Sequence, residues 1–132
     1  MTQIIEMLSD ISDRYETLLV DLWGCVHNGV TAFPDAVAAL RGFRARGGAV
    51  VLLTNAPRSR HEVAKQLQRM DVPEDCWDTI VTSGDSARAA MFEGVVGGKV
   101  WFVGTDFDLT FFEPMTIIDD PVEITRVPLQ QA

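Results

Sequence analysis

The sequence predicts an α/β fold, a three-layer, Rossmann-like parallel sheet with helices on its faces. Three observations predict it. Apolar runs too short for helices alternate with longer segments of helical apolar spacing. Pro34 opens one of those helical segments and Gly47-Gly48 closes it. The apolar runs end on polar residues, at Asp21, Thr54-Asn55, Thr82-Ser83 and Gly104-Thr105-Asp106. Sheets of this class bind ligands outside the carboxyl ends of their strands.

The elements follow in order. Residues 2–9 carry Ile4, Ile5 and Leu8 at helical spacing, and Ser9 to Ser12 mark the end of that helix. Thr17 to Val20 is a buried strand. In "TAFPDAVAALRGFRARG" Val37, Leu40 and Phe43 repeat at three, which predicts a helix. "AVVLLTN" is the clearest strand. "SRHEVAKQLQRMDV" is a helix with Ser59 placed to cap it and Val63, Leu67 and Met70 on one face. "DTIVTSGD" is a third strand, "SARAAMFEG" a helix, and "KVWFVGTD" a fourth strand. "FDLTFFEP" is a short helix or turn, "MTIIDDP" a fifth short strand, and "VEITRVPLQQA" a polar tail.

Composition narrows the function. The chain has 132 residues, enough for one domain with a real core, so residues 1–132 are read as a single segment. Its net charge of -8 argues against nucleic acid and acidic membrane surfaces, which need Lys and Arg to neutralise phosphates. No apolar stretch reaches the ~18 residues of a membrane span. The N-terminus shows no signal-peptide pattern. Cys25 and Cys76 match no zinc spacing and are expected reduced, so the expected location is the cytoplasm.

The most chemical stretch is "VDLWGCVHNGV", where an apolar strand ends on Asp21. A carboxylate there can attack a phosphoryl group or hold a divalent cation. Gly24 just beyond allows backbone N–H groups to approach a phosphate. The Thr54 hydroxyl and the Asn55 amide can donate to phosphoryl oxygens. If the two strands are neighbours, Asp21 and Thr54 share one pocket, and the set describes phosphoryl transfer. The plain alternative is that Asp21 and Thr54-Asn55 are turn and cap residues.

"LLVDLWGCVHNG", "VVLLTNAPRS", "IVTSGD" and "KVWFVGTD", in that order, resemble the front half of the haloacid dehalogenase-like (HAD) hydrolases. The nearest pattern is subclass IIA, the nitrophenylphosphatase and sugar-phosphatase-like group. The resemblance covers about residues 15 to 115. It implies a magnesium-dependent phosphomonoester hydrolase that works through an aspartyl-phosphate on a small phosphorylated metabolite. It implies Asp21 as nucleophile and magnesium ligand, with the backbone carbonyl of Trp23 as a second ligand. Thr54, with Asn55 beside it, becomes the phosphate-binding hydroxyl, and Gly24 and Cys25 become part of the turn that cradles the phosphate.

Three departures accompany the resemblance. The usual motif is Asp-x-Asp, and its second Asp is a general acid and base. Trp23 stands there, and an indole cannot shuttle a proton. His27 is the nearest titratable candidate to replace it. The lysine and aspartate-pair motifs follow a cap domain in the family, and no cap fits after Met115. Asp106 with Asp108, or Asp119 with Asp120, could mimic the aspartate pair, and Lys99 could be mistaken for the lysine. Last, the C-terminal "PVEITRVPLQQA" does not continue the family pattern.

Other residues carry two readings. His27-Asn28-Gly29 is a tight turn or part of the site. Arg58 contacts substrate or is solvated. Ser83 lines the pocket edge or caps the next helix. Trp23, Trp77 and Trp101 pack. Two further function classes stand beside the hydrolase. One is a catalytically inactive, fragmentary HAD-like module that binds phosphate or a partner. The other is a flavodoxin-like or receiver-like regulator with a phosphorylatable Asp21, which Thr54-Asn55 fits less well. An incomplete sheet would expose an edge and an apolar face, so a homo-oligomer is expected.

Overall fold

The computed structural model describes residues 4–128. They form two compact units. The first comprises the described residues up to Thr54 together with Arg60–Val81, and the second joins Asn55–Ser59 to the chain from Thr82 onward.

The first unit holds α1 (Ser9–Ser12), β1 (Thr17–Val20), α2 (Pro34–Ala45), β2 (Ala49–Thr54), α3 (Arg60–Arg69) and β3 (Thr79–Thr82), which reaches the unit boundary. The sheet order is β1-β2-β3. β1 runs parallel to β2, with Leu19 opposite Val51 and Val20 opposite Leu52. This is the α/β architecture with a parallel sheet that the alternating pattern predicts.

Helix α2 forms as its spacing dictates. Pro34 stands in the first turn, and Val37, Leu40 and Phe43 are buried along one stripe. Gly47, at φ +88°, supplies the left-handed residue that turns the chain into β2. Val63 and Leu67 are the buried positions of α3, and Met70 is buried just past its end. Val50 and Leu52 are fully buried on the same side of β2. One carboxylate organises the entry to this core: Asp78 accepts the Val50 N–H at 2.7 Å and bonds the Arg44 guanidinium. The Val50 N–H, then the Arg44 bond, hold its carboxyl below the usual range.

The second unit is built around α4 (Ser83–Phe92), with β4 (Lys99–Val100) and β5 (Thr125–Arg126) paired in parallel beside a 3-10 helix at Asp106–Phe112. Met91, Phe92 and Met115 form its core, with Val100, Phe111 and Phe112 packed against them. Arg88 is buried and donates to the carbonyls of Phe111 at 3.0 Å and Glu113 at 2.6 Å. It thereby satisfies carbonyls that a short 3-10 segment leaves over.

Several expectations are corrected. The first helix is the short α1, and residues 4–8 are irregular, while residues 1–3 lie outside the described residues. Leu8 and Ser9 to Ser12 therefore start a turn of helix instead of ending one. β3 stops at Thr82, because the Thr82 hydroxyl accepts the Asp85 N–H at 2.9 Å and caps α4. Strand β4 spans only Lys99 and Val100, and it pairs with β5 and not with the main sheet. Residues 116–120 are turns and bends, with Asp120 at φ +50°. The last strand lies instead in what reads as a polar tail. No helix among the described residues is long and apolar enough to cross a membrane.

Candidate active site

Asp21 directly follows β1, and Thr54 ends β2. Extending the register of Val20 opposite Leu52 sets Asp21 level with Leu53, one residue short of Thr54. The two candidate residues therefore stand at the carboxyl ends of neighbouring parallel strands, which is the position the sequence pattern required. Asp21 is exposed, and its Oδ1 accepts the Leu22 N–H at 2.8 Å. A carboxylate has about four acceptor positions. The side chain thus keeps capacity for a cation or a phosphorus centre.

The loop after Asp21 is a tight knot. Leu22 is buried, and its carbonyl accepts the N–H groups of Val26 at 2.8 Å, His27 at 3.2 Å and Cys25 at 3.3 Å. Gly24, at φ +78°, turns the chain, and its N–H donates to the His27 carbonyl at 2.8 Å. In this structure the N–H groups of Gly24 and Cys25 are bonded inside the loop, that of Cys25 at the longer distance of 3.3 Å. Both residues are exposed, and Cys25 carries a free thiol.

His27 is only 3% exposed, and its Nδ1 accepts the Gly29 N–H at 3.0 Å. That bond assigns the ring proton to Nε2. Burial pushes its pKa below the ordinary value, with the Asp21 carboxylate opposing. The neutral ring therefore pins the turn. Asn28 completes that turn by accepting the N–H groups of Val30 at 2.9 Å and Thr31 at 2.8 Å. The expectation of His27 as an accessible proton donor is corrected on these grounds. Trp23 is 70% exposed, and its indole edge lies over Gly29.

Asn55 opens the second unit, where the segment after Thr54 is clamped from three directions. The Ser83 hydroxyl donates to the carbonyls of Asn55 at 2.8 Å and Ala56 at 3.1 Å. The Thr82 hydroxyl donates to the Arg58 carbonyl at 2.7 Å, and the Gly84 N–H donates to the Ala56 carbonyl at 3.1 Å. Gly84 is required for contact: a Cβ there would lie 2.4 Å from the Arg58 carbonyl oxygen. Ser83 is thus not the cap of α4, and its hydroxyl is a strut under Asn55. The Arg58 guanidinium sits 5.8 Å from the Phe107 ring centroid. Sequence reasoning took "TSGD" as a strand end, with Ser83 at the pocket edge or capping the next helix, and did not foresee its bonds to residues 55–58. Three small polar residues in a row after an apolar strand were the signal available.

One carboxylate of the substitute metal motifs serves as a helix cap. Asp108 accepts the Thr105 hydroxyl at 2.8 Å and its N–H at 3.3 Å, a capping box. Those bonds hold its carboxyl below the usual range. Asp119 and Asp120 belong to the bends of residues 118–120. No group of three or more His, Cys, Asp or Glu that could hold a metal occurs among the described residues. Among the described residues, Asp21 is an exposed carboxylate just after β1 that a hard cation could take. It suits magnesium, which binds through one or two carboxylates and fills its remaining positions with phosphate oxygens and water.

Residues 18–116 match the family model of haloacid dehalogenase-like hydrolases. No curated protein matches the chain. A crystal structure of a hydrolase of the haloacid dehalogenase-like family from Brucella suis is similar at 36% identity and a TM-score of 0.83, covering 98% of this chain and 44% of that one. A possible sugar phosphatase of the HAD superfamily from Cytophaga hutchinsonii shares the fold at 18% identity and a TM-score of 0.69, covering 99% of this chain and 44% of that one. The chain thus spans less than half the length of either structure.

Proposed function

Because the chain belongs to the haloacid dehalogenase-like hydrolases, we propose that it carries the nucleophilic half of a phosphomonoester hydrolase site, of the subclass IIA type. One observation supports this above others: an exposed carboxylate, Asp21, and a hydroxyl, Thr54, end adjacent parallel strands.

In this reading an Asp21 carboxylate oxygen attacks the phosphorus of a small phosphate monoester. The bond from phosphorus to the ester oxygen breaks, and the alcohol departs with its electron pair. Water then attacks the phosphorus of the aspartyl-phosphate, the bond to Asp21 breaks, and phosphate leaves. Thr54, with Asn55 next to it in the chain, donates to the phosphoryl oxygens. The Ser83 hydroxyl holds the Asn55 carbonyl within the second unit. Gly24 shapes the turn. The Cys25 N–H has the longest bond of the loop, 3.3 Å, and is the one a phosphoryl oxygen recruits most readily. Magnesium, held by Asp21 and the Trp23 carbonyl, would neutralise charge on the phosphate. Trp23 cannot protonate a leaving alcohol, so the chain favours esters whose alcohol leaves as a stable anion.

The test is p-nitrophenyl phosphate hydrolysis with magnesium, with EDTA, and by Asp21→Asn. Magnesium-dependent turnover lost in the variant supports the reading. Equal turnover by the variant overturns it. A second reading, a HAD-like module that binds without turning over, is favoured by the single carboxylate on the metal side. It predicts binding of inorganic phosphate by an inactive chain.

A further inference from the structure

Trp23 follows Asp21 by two residues, and the fold leaves it open: the indole is 70% exposed, against the expectation that it packs. A single exposed apolar side chain is ordinary on a protein surface. This one is held in place beside a candidate nucleophile. A Cβ on Gly29 would lie 3.3 Å from the indole Nε1, so the ring edge rests on a glycine, whose φ of +91° also disfavours any side chain. Gly29 is fixed in its turn. Its N–H donates to Nδ1 of the buried His27 at 3.0 Å, and the backbones of Trp23 and His27 bridge each other. The Asp21 carboxylate acts electrostatically on that same His27 ring. Asp21 and the indole therefore share one turn, and their Cα atoms can stand no more than about 7 Å apart.

We propose that Trp23 is a specificity-determining residue of the Asp21 site, and that its exposed indole stacks on the planar ring of an aryl phosphate monoester. The inference rests on the reading of Asp21 as the phosphate-ester site, and it names the class of ester. A planar ring needs only an open aromatic face, and such a pair is favoured beyond the area it buries. A sugar would need donors and acceptors for its hydroxyls. Those of this turn are largely taken. Nδ1 of His27 accepts the Gly29 N–H, Oδ1 of Asn28 accepts the N–H groups of Val30 and Thr31, and the Gly24 N–H donates to the His27 carbonyl. The same bonds order the turn before any ligand arrives, so stacking costs little further ordering. This preference is separate from leaving-group acidity. Stacking acts on binding, whereas acidity acts on the breaking of the ester bond.

The experiment separates ring planarity from size and from turnover. The full chain carrying Asp21→Asn is titrated by calorimetry with phenyl phosphate and with cyclohexyl phosphate, which is similar in size but not planar. Phenyl phosphate should bind about three- to tenfold more tightly, the range of an aromatic pair. Trp23→Leu in that background removes the difference, and Trp23→Phe keeps most of it. Trp101→Leu, at a half-exposed tryptophan of the second unit, leaves it unchanged. Thermal melts confirm that each variant is folded. Equal binding of the two esters, binding of neither, or a preference that survives Trp23→Leu overturns the proposal. So does tighter binding of phosphocholine, whose cation also suits an indole face. Hydrolysis that Asp21→Asn abolishes, without any preference for the planar ring, refutes this inference alone. A preference carried by Trp23 in a chain that hydrolyses neither ester refutes the hydrolase reading alone.

Discussion

Replacing Gly84 with alanine tests how tightly the segment after β2 is held. The new Cβ would sit 2.4 Å from the Arg58 carbonyl oxygen, 2.5 Å from its nitrogen and 2.6 Å from its carbonyl carbon. Ordinary contact begins near 3.4 Å, so the deficit is about 1 Å, and all three atoms are backbone. Arg58 cannot retreat freely, because the Thr82 hydroxyl holds its carbonyl at 2.7 Å and the Gly84 N–H holds Ala56 at 3.1 Å. Overpacking of this kind costs about 1–3 kcal/mol, and an unyielding backbone puts it at the upper end. With an unfolding entropy of roughly 2.1 cal/mol/K per residue, 2–3 kcal/mol lowers the melting temperature by about 7–11 °C. Calorimetry or circular dichroism melts read the shift. Gly42→Ala is the matched control. It lies inside α2 with nothing within 4 Å of its Cβ, so it should gain about 0.5–1 kcal/mol from helix propensity. Equal melting temperatures for the two variants would refute the clamp.

Other consequences follow from the same contacts. Arg88→Met strips two carbonyls of their donor and leaves Asp85 without its 3.3 Å partner contact, and should cost about 3 kcal/mol in urea titrations. The folded-state pKa of His27 is lowered by burial below its unfolded value of 6.5. The unfolded chain therefore binds the extra proton first, so the His27 contribution is complete above pH 6.5 and declines as pH falls toward the folded value. His27→Gln should flatten stability between about pH 6.5 and 5, a window clear of carboxylates, which titrate near 4. Asp78 acts in the same sense at lower pH: its contribution is present above the ordinary carboxylate value of 3.8 and is lost in stronger acid. Asp78→Ala should lower the melting temperature at pH 7 and narrow its gap to the parent near pH 3. If the chain hydrolyses esters, p-nitrophenyl phosphate should far outpace an alkyl phosphate, since Trp23 offers no proton. Comparable rates would mean another residue supplies the acid.

The sheet and its chemistry were legible for definite reasons. Val50 and Leu52 sit in a run too short and too apolar for anything but a buried strand, and Val37, Leu40 and Phe43 mark a helix face. Asp21 and Thr54 showed themselves as polar ends to such runs. The second unit was less legible because its cohesion is not periodic. "KVWFVGTD" has strand composition, yet only Lys99 and Val100 pair, while Phe102 turns back on Phe112 with ring centroids 5.0 Å apart. Thr125 and Arg126 become a strand through pairing with distant residues, which no local pattern announces. Within the site, the Gly24 and Cys25 amides were assigned by position. Only the hydrogen-bond geometry shows that the turn itself uses them. His27 was read for its proton, whereas its burial and the Gly29 bond make it a pin.

The most direct measurement asks whether Asp21 becomes phosphorylated. The chain is mixed with magnesium and p-nitrophenyl phosphate, quenched in acid, and the peptide carrying Asp21 is weighed by mass spectrometry, with and without hydroxylamine. The account predicts one phosphoryl group on Asp21, released by hydroxylamine and absent from Asp21→Asn and from the EDTA control. Turnover with no phosphoryl group on that peptide, or one that persists in Asp21→Asn, would contradict it.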